Sequence, residues 1–163
     1  MKKPVTKESA FERMAALCSR SEQCESDIYR KLMTLGLTSS DRNEIIEKLK
    51  TERFIDDSRF ARSYASDKAR FSAWGPYKIK MELIKKRIKE TFITEAIAKV
   101  ESSVWKEGLL RCAVGKAKNL QLTGEESREN RTRLYKYLIS RGFPSSTSSK
   151  AVAYMVKKHS EDQ

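Results

Sequence analysis

YKIKMELIKKRIKETFITEAIAKV, residues 77–100, spaces its apolar side chains as Ile79, Leu83, Ile88, Ile97 and Val100. The same five positions recur in SDIYRKLMTLGLTSSDRNEIIEKL, residues 26–49, as Ile28, Leu32, Leu37, Ile46 and Leu49. They recur again in TRLYKYLISRGFPSSTSSKAVAYM, residues 132–155, as Leu134, Leu138, Phe143, Val152 and Met155. Each position of the first segment lies 51 residues before its counterpart in the second, and that one lies 55 before the third. Apolar positions held in one register across three segments mark an internal repeat of small stacked units.

Each segment reads as two helices. The first carries apolar residues four apart, on one helix face (Ile28/Leu32, Leu134/Leu138). In the first and third segments it ends in Gly36-Leu37 and Gly142-Phe143, a glycine suited to a left-handed helix end followed by an apolar residue. Arg87 takes the glycine's place in the second, so either Arg87 adopts that conformation or the helix runs on. Polar residues then open the second helix: Ser39, Ser40 or Asp41, Thr91 or Thr94, and the SSTSS run after Pro144 each offer an N-cap. SSTSS reads as a capping loop in preference to a phosphorylation site.

A further helix precedes each pair, over 7–20, 57–71 and 106–120. The predicted fold class is therefore all-α: three tandem three-helix repeats in an elongated, curved array of either hand. The expected divisions are 1–55, 56–104 and 105–163. A unit of about 50 residues has little core of its own, so neighbours must share apolar faces. Composition agrees. Hydrophobic residues are 39% and charged residues 34%, a thin core under much surface, and six glycines and three prolines are too few for an all-β fold.

FIDDSRFARSY, residues 54–64, sits where the second repeat begins. Its paired carboxylates raise the question of catalysis. With Asp56 as N-cap, its carboxylate meets the N–H of Ser58 or Arg59, and Asp57 faces the positive end of the helix dipole. Ile55 and Phe60 then have the spacing of a hydrophobic staple. No His is near, and no Gly-rich phosphate loop, GxSxG, HExxH or Walker pattern occurs. A structural role is favoured, and no enzyme is expected. Further on, Gly75 and Pro76 suit N-cap and N1 of the next helix. Trp74 reads as a packed corner flanked by Phe71 and Tyr77, with base stacking the alternative.

Cys18, Cys24 and Cys112 are odd in number and unevenly spaced, and the only His is His159, so buried thiols are expected and no metal site. No apolar run of about 18 residues predicts a membrane span, and MKKPVTKESAFERM lacks the apolar segment of a secretory signal. A cytoplasmic protein without cofactor is expected. The net charge of +12 points to a polyanionic partner. Residues 68–90 alone carry +6, and residues 111–141 carry +5. Candidate partner- or phosphate-binding residues are Arg70, Lys78, Lys80, Lys85, Lys86 and Lys89, with Arg128, Arg131, Arg133 and Arg141.

Ile55, Asp56, Asp57, Arg59, Phe60, Ala61 and Tyr64, followed by Trp74, Gly75 and Pro76, resemble the central signature of the RecX family. The repeat register extends the likeness over nearly the whole chain, with Arg87 departing from the family's glycine. The resemblance implies a non-enzymatic regulator of the RecA recombinase. It would be a monomer that lodges in the groove of the RecA–single-stranded DNA filament, meets DNA through that filament, and restrains strand exchange, repair and SOS coprotease activity. The alternative is a sequence-nonspecific nucleic-acid-binding helical protein that acts without RecA.

Overall fold

The computed structural model describes residues 4–161. Among the described residues the regular structure is wholly helical. The helices are α1 Lys7–Arg20, α2 Glu25–Met33, α3 Ser39–Thr51, α4 Asp57–Phe71, α5 Pro76–Lys85, α6 Glu90–Ala98, α7 Ser102–Ala117, α8 Ser127–Ser140 and α9 Ser145–Glu161. The repeat register is a burial register. Ile28, Leu32, Leu49, Ile79, Leu83, Leu134 and Leu138 are fully buried, and Leu37, Ile46, Ile88, Phe143 and Met155 nearly so. Ile97, Val100 and Val152 pack at core margins.

Three cores result. The first gathers Ala10, Met14, Ile28, Leu32, Ile45 and Leu49 from α1–α3. The second gathers Phe60, Ala65, Ile79, Leu83 and Ile93 from α4–α6, and the third Ala113, Leu134, Leu138 and Met155 from α7–α9. The cores reach across the joints: Cys24 and Val104 are buried in the second, and Ala73 in the third. The accessible surface is 10581 Å², against about 8,300 Å² for a compact monomer of this mass. That excess fits an array of small units better than one ball.

Small residues set the closest approach. Ala61, Ala65 and Ala69 form a buried stripe on α4, and α7 brings Gly108 against the Ala69 carbonyl and Ala73. α7 begins at Ser102, four residues before the expected 106, because Val104 and Trp105 pack into the second core.

The left-handed helix end recurs in all three repeats: φ is +73° at Gly36, +58° at Arg87 and +92° at Gly142. The helix at Arg87 therefore stops, and Arg87 bears a strain of about 1–2 kcal/mol that glycine avoids. Ile88 N–H closes the turn on the Leu83 carbonyl, as Phe143 N–H does on Leu138. Arg53 and Ala73, at φ +61° and +49°, end α3 and α4 likewise.

The caps differ from the sequence reading in three places. Thr38, one residue before Ser39, caps α3 by accepting Asp41 N–H at 3.1 Å. α6 starts at Glu90 with Lys89 as N-cap and no side-chain cap, so Thr91 and Thr94 lie inside the helix. α9 begins at Ser145, and Pro144 accepts Ser148 N–H and the Thr147 hydroxyl, so the serines form the first turn.

Candidate partner interface

The opening of α4 assigns both carboxylates. Asp56 is the N-cap, and its Oδ1 accepts Arg59 N–H at 2.9 Å. Asp57 is N1, but its Oδ1 reaches out of its own repeat to accept Glu25 N–H at 2.9 Å. Cys24, the N-cap of α2, offers no side-chain cap, so Asp57 caps α2 from the next repeat. Burial raises the Asp57 carboxyl above its ordinary value, and the Glu25 N–H pulls it partly back. The expected staple does not form: Ile55 packs into the first core and Phe60 into the second. The two residues straddle the joint instead.

The first joint is built from side chains. The Ser26 hydroxyl donates to the Lys86 carbonyl at 2.6 Å, filling an acceptor left free at the end of α5. Lys86 Nζ lies 2.6 Å from Asp27. Burial raises the Asp27 carboxyl, but hydrogen bonds from Lys86 and Cys24 and the charges of Lys86 and Arg30 outweigh it and hold Asp27 below its ordinary value. Arg59 pairs with Glu22 at 2.6 Å and donates to the carbonyls of Arg53 and Phe54. Burial also pushes the Cys24 thiol up, keeping it protonated.

The second joint uses the same repeat positions with backbone. Gly75 stands 51 residues after Cys24, and Arg141 stands 55 after Lys86. Gly75 N–H donates to the Arg141 carbonyl at 2.7 Å, and Tyr77 N–H donates to Gly142 at 3.0 Å. A Cβ on Gly75 would sit 2.3 Å from the Gly142 carbonyl, and one on Gly142 would sit 2.4 Å from Lys78 N. The Arg141 guanidinium donates to the Ser72 carbonyl, Arg111 to the Arg70 carbonyl at 2.7 Å, and the Cys112 thiol to Ala73 at 3.4 Å. Gly75 is thus the N-cap that the sequence suggests, with Pro76 at N1, and also the point where two helices touch.

These contacts sort the candidate cations. Lys86 and Arg141 hold the joints, and Arg131 Nε–H donates to the Leu122 carbonyl at 3.0 Å. Lys80, Lys85 and Arg133 pair on the surface with Glu90, Glu82 and Glu129. Arg70 is exposed with Nε on Ser66, Lys89 lies 5.8 Å from the Phe92 ring, and Arg128 is exposed on the first turn of α8. Lys78 lies 4.5 Å from the Trp74 ring and Lys68 4.7 Å. Tyr64 meets Trp74 edge-on. Trp74 is therefore half-buried between two ammonium groups, while Phe71 and Tyr77, expected to help pack it, are 80% and 60% exposed. Arg70/Arg111 and Ser72/Arg141 bring the two basic clusters together at the second joint.

A groove of about 1240 Å³ runs along the first joint, lined by Tyr29, Met33, Asn43, Arg53, Arg87 and Phe92 among others. Asp27, Ser26 and Glu22 carried no signal in the sequence, since their partners lie 37 to 60 residues away. Among the described residues no group of three or more His, Cys, Asp or Glu gathers as a metal site, and no helix is long and apolar enough to cross a membrane.

Comparison with known proteins follows the same lines. Residues 56–97, which hold α4 and α5 and most of α6, match the family model described as RecX, second three-helix domain. The chain is 28% identical over 136 residues to the "Regulatory protein RecX" of Chlorobium phaeobacteroides (strain BS1), covering 83% of this chain and 86% of that protein. It is 30% identical over 124 residues to the protein of the same name from Clostridium tetani (strain Massachusetts / E88), covering 76% of this chain but only 56% of the longer relative. A crystal structure of regulatory protein RecX superposes with a TM-score of 0.77 at 27% identity, covering 93% of this chain and 71% of that one. RecX from Lactobacillus salivarius shares the fold, with a TM-score of 0.73 at 20% identity over 95% of this chain and 97% of that one. Signature, repeat register and fold agree, and the chain belongs to the RecX family of regulatory proteins.

Proposed function

We propose that this protein is a non-enzymatic inhibitor of RecA that lies in the groove of the RecA–single-stranded DNA filament. There it modulates recombination, DNA repair and SOS coprotease activity. The three units 1–55, 56–104 and 105–163 act as successive steps along that groove. The observation that carries the reading is the recurrence of one joint, Ser26 to Lys86 in the first case and Gly75 and Tyr77 to Arg141 and Gly142 in the second, within a chain of RecX type. A recurring joint builds a stepped body, which suits a partner that itself repeats. The +12 charge adds attraction to acidic protein or phosphate. The cytoplasm, where RecA works, is the compartment this implies, and a monomer is the form.

The test is binding to preassembled filaments by a variant reversed at Lys78→Glu, Lys80→Glu and Lys85→Glu. Lys86 is left intact because it holds the first joint. Binding at least about tenfold weaker is expected. Unchanged inhibition by this variant would remove the interface from this face.

A second reading, a sequence-nonspecific nucleic-acid binder acting without RecA, is favoured by one feature. Exposed Phe71 and Tyr77 flank a Trp74 that lies between Lys68 and Lys78, a combination that suits base stacking. It predicts tight binding to bare single-stranded DNA, lost in Phe71→Ala/Tyr77→Ala.

A further inference from the structure

The repeat register holds one position that the cores leave out. Met33, Ile84 and Ile139 are separated by the same 51 and 55 residues as the buried sets. They lie near the ends of α2, α5 and α8. Yet they are 56%, 46% and 39% exposed. A single exposed aliphatic residue needs no explanation, but the same one in every repeat does. On α5 the face widens through Met81, 54% exposed and one turn before Ile84.

We infer that Met33, Ile84 and Ile139 are three equivalent anchors that dock this protein on a protein polymer whose subunits each present an apolar recess edged by carboxylates. Charge selects that occupant. Exposed Arg30 precedes Met33 by three residues, as exposed Lys136 precedes Ile139, and Lys80 and Lys85 flank Ile84. A second copy of the chain would set cation against cation at a net charge of +12. Aliphatic anchors offer a nucleic acid no ring on which to stack a base. Single anchors spaced by whole repeats suit separate recesses better than a continuous lipid surface, which calls for one unbroken apolar face. The inference rests on the filament reading above and assigns that contact to residues.

The test compares the full-length protein with Met33→Ala, Ile84→Ala, Ile139→Ala and the triple variant. Each is titrated against RecA filaments assembled on single-stranded DNA and against the bare DNA. Each single change should weaken filament binding about threefold to tenfold. The triple should lose about 30-fold to 1,000-fold, since linked sites multiply. Bare-DNA binding should stay unchanged, and Leu110→Ala, 46% exposed but out of register, should behave as wild type. Ile84→Glu should lose more than Ile84→Lys, because only the acid meets like charge in the recess. A triple variant that binds filaments like the wild type overturns the inference and leaves the filament reading standing. Equal losses on bare DNA overturn it in favour of a nucleic-acid contact. A wild-type protein that binds filaments no better than bare DNA overturns the filament reading, and the inference falls with it.

Discussion

The two joints occupy equivalent repeat positions and are made of different matter. Between the first and second repeats the contacts are side chains: Asp57 on Glu25 N–H, Ser26 on the Lys86 carbonyl, and Lys86 on Asp27. Between the second and third the backbones themselves meet, at Gly75 and Gly142. Backbone contact is indifferent to salt and pH but intolerant of a methyl group. Side-chain contact is the reverse. One array thus holds a tight joint and an adjustable one.

The largest effect should come from filling the tight joint. Gly75→Ala or Gly142→Ala should cost at least about 3 kcal/mol, since backbone cannot yield as a side chain would. Gly36→Ala, at the position equivalent to Gly142 but with nothing within 4 Å, should cost only about 1 kcal/mol of left-handed strain. Urea unfolding midpoints measure both, and equal losses would erase the distinction between the joints. Next comes the adjustable joint. Lys86→Met leaves Asp27, whose side chain is 18% exposed, with Arg30 at 3.4 Å as its remaining ion-pair partner, and should cost about 1–2 kcal/mol, less at high salt. Adding Asp27→Leu should recover most of it, and a double variant no better than the single would show that the pair is not the source. A smaller gain of about 1 kcal/mol should follow from Arg87→Gly, which relieves the φ of +58°.

The subtlest effect is the pH response of the first joint. Asp27 titrates below its ordinary value. Its stabilisation is therefore complete above the ordinary carboxylate range and fades as pH falls through the folded value. Asp57, raised by burial, acts oppositely: ionised, it costs stability, which returns as pH falls through its own folded value. The wild-type response to acid should therefore be shallow. Asp57→Asn should steepen it and Asp27→Asn should remove the acid loss, both read from urea midpoints between pH 6 and 3. Parallel curves for all three proteins would contradict these signs.

The helices and the buried register were legible because both follow from local spacing. Ile28, Leu32, Ile79, Leu83, Leu134 and Leu138 identify themselves by their intervals. Asp56 and Pro76 were legible as cap and N1 because those roles need only neighbouring residues. What escaped depends on distant partners. Nothing near Asp27 announces Lys86, and nothing near Asp57 announces Glu25 N–H. The sequence left Arg87 open because the choice between a left-handed stop and a continued helix turns on the packing of Ile88. Val104 and Trp105 lengthen α7 only because the second core receives them. Of the candidate site, the cations were easy to find but not to sort, since Lys86, Arg131 and Arg141 look like any surface cation until their acceptors are seen.

The central claim, control directed at the RecA filament, is tested most directly by RecA's DNA-dependent ATPase on single-stranded DNA. This protein would be titrated well below RecA's concentration, with its binding to the bare DNA measured at the same salt. Inhibition at low ratios with weak bare-DNA binding is the predicted result. Inhibition that begins only when the DNA itself is coated would contradict the claim and make this protein a competitor for DNA.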